Sequence, residues 1–240
     1  MTPRAFGTEA TDLDLRFGRR PAEAVVTDLL QRCLGEDTAT LQRWTLARRF
    51  QALLALRCAD EPEARASLAL HCSACGSAFE FELPLAACQQ TVDETPLAVP
   101  LADGRLLQLR LPDADDLQRW RAQGQPDEHT LAASLLLQPA EALDTTDIEN
   151  IAEQLAQRDP FTALRLQADC PDCGQAHAPE IDIEALLLRD FAARQQRLLD
   201  EVATLARAFH WSEAQILALP AWRRAFYLSR VDAAPLEWPA

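Results

Sequence analysis

Two short stretches decide how this chain is read: Cys72-Ser73-Ala74-Cys75-Gly76 and, with 94 residues between Cys75 and Cys170, Cys170-Pro171-Asp172-Cys173-Gly174. Each is a C-x-x-C-G knuckle. Four thiolates from two such knuckles form the tetrahedral sulfur set that Zn²⁺ takes in a closed structural site, with no position left for water or substrate. The glycine after each second cysteine allows a positive φ, so that backbone amides can turn toward the sulfurs. Working outward, Phe79, Phe81, Leu83 and Leu85 alternate after the first pair, and residues 66–71 and 78–85 read as a hairpin around it. Leu164, Leu166 and Ala168 run into the second pair, and Ile181 and Ile183 emerge from it. Metal ligands are therefore expected at Cys72, Cys75, Cys170 and Cys173, with structural Zn²⁺ as the cofactor. Iron-sulfur ligation is the chemical alternative for the same donors. Separate core or redox thiols are the other reading, but neither pair opens a helix in the βαβ setting that a thioredoxin-like motif needs. His71 and His177 flank the knuckles as partly exposed neighbours, or as groups that replace a thiolate or support the sulfurs from behind. Cys33, Cys58 and Cys88 lack partners at metal spacing and read as buried small apolar residues.

Around this staple the chain has helical periodicity. Residues 22–34 and 38–57 read as two helices, the second with Leu41, Trp44, Leu46, Phe50, Leu53, Leu54 and Leu56 on its apolar side. Val99 to Leu111 reads as a hairpin turning at Asp103-Gly104 in a type I′ turn. Helical composition resumes over 113–123, 128–138 and 145–158, the last capped by Asp144 or Thr145. Leu187, Phe191, Leu198, Val202, Leu205 and Phe209 fall three, four or seven apart on one long amphipathic helix from Glu184 to Phe209. Ser212-Glu213-Ala214-Gln215 is a capping box that starts a short helix through Leu219, and Pro220 opens a last helix, Ala221 to Val231. The expected fold is α+β, mostly helical: a split zinc ribbon with an inserted strand-and-helix segment and a C-terminal helical hairpin. Its segments are an N-terminal helical part (1–60), the first knuckle hairpin (66–85), the insertion (86–165), the second knuckle hairpin (166–183), and the long helix with its tail (184–240). Zinc is expected to fix the N- and C-terminal helical parts by holding strands distant in sequence.

Composition narrows the chemistry. The 240 residues carry 37 carboxylates against 23 basic side chains, a formal charge of −14, and every basic residue is Arg. Without Lys there is no lysine Schiff base and no P-loop. The acidic balance disfavours duplex binding. Residues 1–57 hold nine Arg and seven acids, the remainder fourteen Arg and thirty acids. There is no G-x-S-x-G, no G-x-G-x-x-G, and no Ser or Cys nucleophile motif beside His129 or His210. Adjacent acids such as Asp115 and Asp116 are expected by chance among so many carboxylates. No apolar run reaches the roughly 18 residues of a membrane span, and the first twenty residues lack a signal-peptide core. The expectation is a non-enzymatic protein, cytoplasmic when made, with no nucleic-acid partner, no membrane insertion and no small-molecule substrate.

The tail carries a more specific pattern than the cysteines. Glu201-Val202-Ala203-Thr204-Leu205-Ala206, then Phe209 to Pro220 (FHWSEAQILALP), then Trp222-Arg223-Arg224-Ala225-Phe226-Tyr227-Leu228 closely resembles the C-terminal signature of the T-even-type phage baseplate protein family. Asp159-Pro160-Phe161 leading to the second knuckle, Trp44 to Leu56 leading to the first, and Leu109-Arg110-Leu111-Pro112 followed by Asp115 and Leu117 resemble further parts of the family pattern. The resemblance covers about residues 25 to 231. It is weakest over 86–105, and it departs at 59–66, where the family often has a Phe-Gly pair. It implies a role in the baseplate hub or its assembly, in contractile-tailed phages, tailocins and phage-tail-like injection systems, as a minor hub subunit or an assembly chaperone. The partners so implied are hub, spike or other tail proteins, and the location is the cytoplasm during assembly or the assembled particle. The alternative is a zinc-ribbon protein that binds nucleic acid or acts as a regulatory adaptor.

A partner surface is expected at Trp211, Trp222, Arg223, Arg224 and Tyr227, because Trp, Tyr and Arg are the types enriched at interface hot spots. The competing expectation is that the aromatics pack the last helix onto the long one while the arginines are solvated. A planar, bidentate cation at Arg223 or Arg224 suits an acidic partner better than Lys does.

Overall fold

A computed structural model describes residues 3–101, 104–124, 126–138, 143–161 and 164–231. In chain order the helices are α1 (Ala22–Leu34), α2 (Thr38–Arg43), α3 (Leu46–Asp60), α4 (Ala114–Ala122), α5 (Glu128–Leu135), α6 (Thr145–Arg158), α7 (Ile183–Phe209), α8 (Glu213–Leu217) and α9 (Ala221–Val231). The strands are β1 (Arg65–His71), β2 (Ala78–Pro84), β3 (Leu97–Pro100), β4 (Leu106–Leu109), β5 (Leu164–Arg165), β6 (Ala168–Asp169), β7 (Ala176–His177) and β8 (Glu180–Ile181). The chain is thus α+β, helix-rich, with small antiparallel sheets pairing β1 with β2, β3 with β4, β5 with β8 and β6 with β7. No helix among the described residues is long and apolar enough to cross a membrane. The chain divides into two compact units, residues 36–187 and residues 1–35 with 188–240. The division falls inside α7, and it parts the N-terminal helical stretch, α1 lying in one unit and α2 and α3 in the other.

In the unit of residues 36–187, side-chain caps start each of the helices α2 to α6: Asp37, Thr45, Asp113, Asp127 and Asp144 accept from backbone N–H groups three residues on. Asp144, not Thr145, is the cap of α6. The single helix expected over 38–57 is broken at Trp44-Thr45, both extended at ψ 139° and 152°. The Leu46 N–H donates to the Pro112 carbonyl at 2.9 Å, so a bond to a distant segment replaces a turn of helix. The apolar side survives the break, with Leu41, Phe50, Leu53, Leu54 and Leu56 buried. The β3–β4 hairpin forms, in a register other than the expected one. Leu101 N–H donates to the Arg105 carbonyl at 2.8 Å, which leaves three residues in the loop where a type I′ turn at Asp103-Gly104 has two. Residue 103 itself lies outside the described residues; Gly104 has φ +85°. Leu97, Val99, Leu107 and Leu109 of this hairpin share one core with Ala132 and Leu135 of α5 and Ile148 and Ile151 of α6.

That core is held at its edge by Asp116, whose side chain is 0% exposed. Arg110 meets it through both guanidinium nitrogens at 2.5 and 2.6 Å, and Arg119 adds a third contact at 2.7 Å. Asp113 donates its backbone N–H to the same carboxylate.

In the other unit, α1 buries Val25, Val26, Leu29 and Leu30, and Phe6 meets Phe191 edge-on at 5.5 Å. The expected face of α7 is buried at Phe191, Leu198, Val202 and Leu205. Leu198, Val202 and Leu205 share a core with Ile216 and Leu217 of α8, against which Tyr227 and Leu228 of α9 pack. Here too a buried Asp is an anchor. Asp12 takes both guanidinium nitrogens of Arg4 at 2.6 and 2.8 Å, together with the N–H groups of Gly7, Thr8 and Glu9. α7 ends at His210, a non-glycine residue at φ 57°, with its N–H on the Ala206 carbonyl.

Candidate metal centre

The two knuckles are built by the same hydrogen bonds. Cys72 N–H donates to the Ser77 carbonyl at 2.8 Å and Gly76 N–H to the Cys72 carbonyl at 2.9 Å. Cys170 N–H donates to Gln175 and Gly174 N–H to Cys170, both at 2.9 Å. Gly76 and Gly174 have φ of 76° and 73°, and an added Cβ at either meets nothing within 4 Å. The positive φ alone, not crowding, therefore selects glycine there.

The strands that carry the knuckles differ. β1 and β2 pair without interruption from Arg65↔Pro84 to His71↔Ala78. The second hairpin keeps one register from Leu164↔Ile181 to Asp169↔Ala176, yet it breaks into two short ladders. Pro179, opposite Leu166, has no N–H to return, and only the Leu166 N–H to Pro179 carbonyl bond remains. Ile183, expected to leave this hairpin as strand, is the first residue of α7.

All four sulfurs lie within 4.8 Å of one another. The close pairs run between knuckles, Cys72 to Cys173 at 3.6 Å and Cys75 to Cys170 at 3.7 Å. A zinc ion about 2.3 Å from each of four sulfurs sets them about 3.8 Å apart, so the donor set fits a tetrahedral ion in identity and in spacing. It does not fit two disulfides, whose sulfurs stand about 2.05 Å apart. Cys72 and Cys170, the first of each pair, are 3% and 2% exposed, whereas Cys75 and Cys173 are exposed. Hydrogen bonds from the Ser77 side chain and backbone pull the Cys75 thiol down to about 6. At Cys173 the Gln175 N–H also favours the thiolate, but the three neighbouring sulfurs together outweigh it and push that thiol up to about 12. Four thiolates this close repel, and they ionise together only around a cation.

His177, on β7, is half-buried and brings Nε2 to 3.4 Å from Cys72 Sγ. Its ring lies 5.9 Å from that of Phe79, so it touches the first hairpin from the second. His71 is exposed and outside the cysteine cluster. Cys33, Cys58 and Cys88 are buried, and burial raises the thiol pKa of Cys58 and Cys88.

The expected partner residues are placed unequally. Trp211 stacks on Phe209 at 4.9 Å and meets Tyr227 edge-on at 5.0 Å, both packed within their own unit. Arg224 is a correction to the expected solvent-facing arginine. It is 7% exposed, with Nε on Glu201 at 3.0 Å and Nη1 on the Leu219 carbonyl at 2.7 Å, because a buried guanidinium needs acceptors for its donors. Arg223 is half-buried beside the Tyr227 hydroxyl. Trp222 is 71% exposed, and Phe226, one turn on, 52%. Phe226 completes that surface. Its place four residues after Trp222 was the sequence signal for it. Asp116 was also missed, since nothing in its sequence neighbourhood distinguishes it from Asp115.

No protein-family model, no curated protein and no solved structure matches this chain.

Proposed function

We propose that the chain is a zinc-stapled, non-catalytic structural or assembly protein of the baseplate of a contractile phage tail or phage-tail-like injection system, binding hub or spike proteins. The observation that carries the metal part is the convergence of four sulfurs from two hairpins, with 94 residues between Cys75 and Cys170. Cys72, Cys75, Cys170 and Cys173 hold Zn²⁺ in this reading, and the two hairpins form the halves of a zinc ribbon. When bound, the ion neutralises the thiolates and fixes the two hairpin tips to each other. A full sulfur shell leaves it no open position for substrate, which is why the role is structural.

The baseplate part rests on the tail pattern from Glu201 to Leu228. Residues of that pattern pack α7, α8 and α9 together, among them Val202, Leu205, Phe209, Trp211, Ile216, Leu217 and Tyr227. A nucleic-acid ribbon is disfavoured by charge. Residues 36–187, which include the knuckles, carry 26 acids against 11 Arg, a net −15.

Elemental analysis of the purified chain is expected to give one zinc per molecule, and Co²⁺ substitution the charge-transfer bands of a tetrahedral thiolate site. Four freely reactive knuckle thiols in the native protein defeat the metal reading. Pull-down from a producing cell is expected to recover hub or spike proteins. Recovery of no tail component, with no sheath, tube or spike genes nearby, ends the baseplate reading.

A further inference from the structure

Two surfaces in this chain are left facing solvent, and their chemistry is complementary. One is the outer face of α9. Trp222 and Phe226 stand one turn apart there, and the Arg230 guanidinium lies over the Phe226 ring at 5.1 Å. α9 carries three Arg and no acid, and Arg224 is held by Glu201. The other is a groove of about 330 Å³ between α5 and α6. Its floor is Ala132, Leu135 and Ile151, its walls are Leu131 and Leu155, and Glu128 stands exposed at its rim.

We infer that the Trp222–Phe226 face of α9 in one copy of the chain docks in the α5–α6 groove of a second copy, with Arg230 against Glu128. The apolar parts match in kind: an amphipathic helix presents anchors at i and i+4 to a groove lined mainly by aliphatic side chains, with Trp120 of α4 among them. The volume is near the lower end for drug-sized pockets, about 300 Å³, which suits the aromatic side chains of one helix face and not the helix itself. The charges match in sign, a cationic helix meeting a unit of net −15. Trp and Arg at the centre of such a contact are the types that supply most of its energy. A second copy is the occupant because one chain supplies both halves of the match. The contact is heterologous, each copy donating one helix and accepting another, so the assembly either closes as a ring or extends.

Sedimentation velocity on the full, metal-loaded chain across a wide concentration range tests this. Association should grow with concentration and weaken with salt. W222A/F226A removes the donor face, and A156R, on the exposed wall of α6, blocks the groove. Both positions are exposed, and circular dichroism together with metal content reports whether each variant is folded. Each variant alone should associate at least tenfold more weakly than the parent. An equimolar mixture should form a one-to-one complex and nothing larger, because the A156R chain keeps its helix and the W222A/F226A chain keeps its groove. E128R should weaken association, and mixing it with R230E should restore it. A parent chain that stays monomeric at every concentration overturns the inference; that result is also the one expected if the face or the groove belongs to another protein or is covered within its own chain. Association that survives W222A/F226A, or a mixture that stays monomeric, overturns it as well.

Discussion

The two units of this molecule solve the same problem with different materials. Residues 1–35 with 188–240 are helical, nearly neutral at 12 Arg against 11 acids, and closed by hydrocarbon and aromatic contacts along α7. Residues 36–187 carry net −15 and, among the described residues, include every strand, each sheet being a pair. A two-stranded hairpin is marginal by itself in water. The second knuckle hairpin is weaker still, since Pro179 interrupts its ladder. The difference teaches where the proposed zinc is needed: it would go where local structure is too short to hold itself and acidic groups repel, and not where a long amphipathic helix already buries its face.

The largest break in this comparison comes from removing the proposed zinc. Chelation, or Cys72→Ser with Cys170→Ser, is expected to remove most of a binding free energy of about 10 kcal/mol or more. Hydrogen exchange should then rise over residues 65–84 and 164–181, while the amides of α1 and of α7 beyond Leu188 keep their protection. Equal loss in both units would show that the staple serves the whole chain.

Next come the anchors that the units share. Asp12→Ala and Asp116→Ala each strip a fully buried carboxylate from its arginines, at an expected cost of about 2–3 kcal/mol once the partial exposure of those arginines is allowed for. Denaturant unfolding of each variant measures it. Burial raises both carboxyl pKa values, but the Arg4 and Arg110 hydrogen bonds, with backbone N–H groups and the arginine charges, outweigh it and hold both below the ordinary carboxylate value. A depressed folded pKa contributes stability that is present above the unfolded value, about 3.9, and lost as pH falls through the folded one. Stability from these pairs is therefore expected to be level above about pH 5 and to fall below about pH 4 in the parent. The fall should be smaller in either Ala variant.

A smaller effect separates the sulfur shell from its surroundings. His177→Ala is expected to lower zinc affinity about 10- to 100-fold, as loss of a group that orients a ligand does, and to leave the cobalt charge-transfer bands those of four sulfurs. Bands of a three-sulfur, one-nitrogen site in the parent would instead make His177 a ligand. The smallest effect is at the end of α7, where His210→Gly relieves a left-handed residue that is exposed and is expected to raise stability by about 1 kcal/mol.

What could be read from the residues follows the range of the forces involved. The capping box at Ser212 and Gln215 spans three positions, and α9 runs over the expected Ala221 to Val231. The knuckles were legible because C-x-x-C-G closes its own turn. Trp44-Thr45 was not, because its break depends on Pro112, 66 residues beyond Leu46. Arg224 looked like a surface cation for the same reason, since Glu201 lies on another helix.

By itself, then, the sequence determined the capping box at Ser212 and Gln215, which knuckle turns need glycine, and which four cysteines are ligand-competent. These depend on bonds closed within a few residues. Only the tertiary structure decided that Cys72 faces Cys173 and Cys75 faces Cys170, that Asp116 and not Asp115 is buried, and that Trp222 and Phe226 are left outside while Trp211 and Tyr227 pack. Each of those is a contact between segments far apart in the chain, and local propensity carries no information about which of them meet.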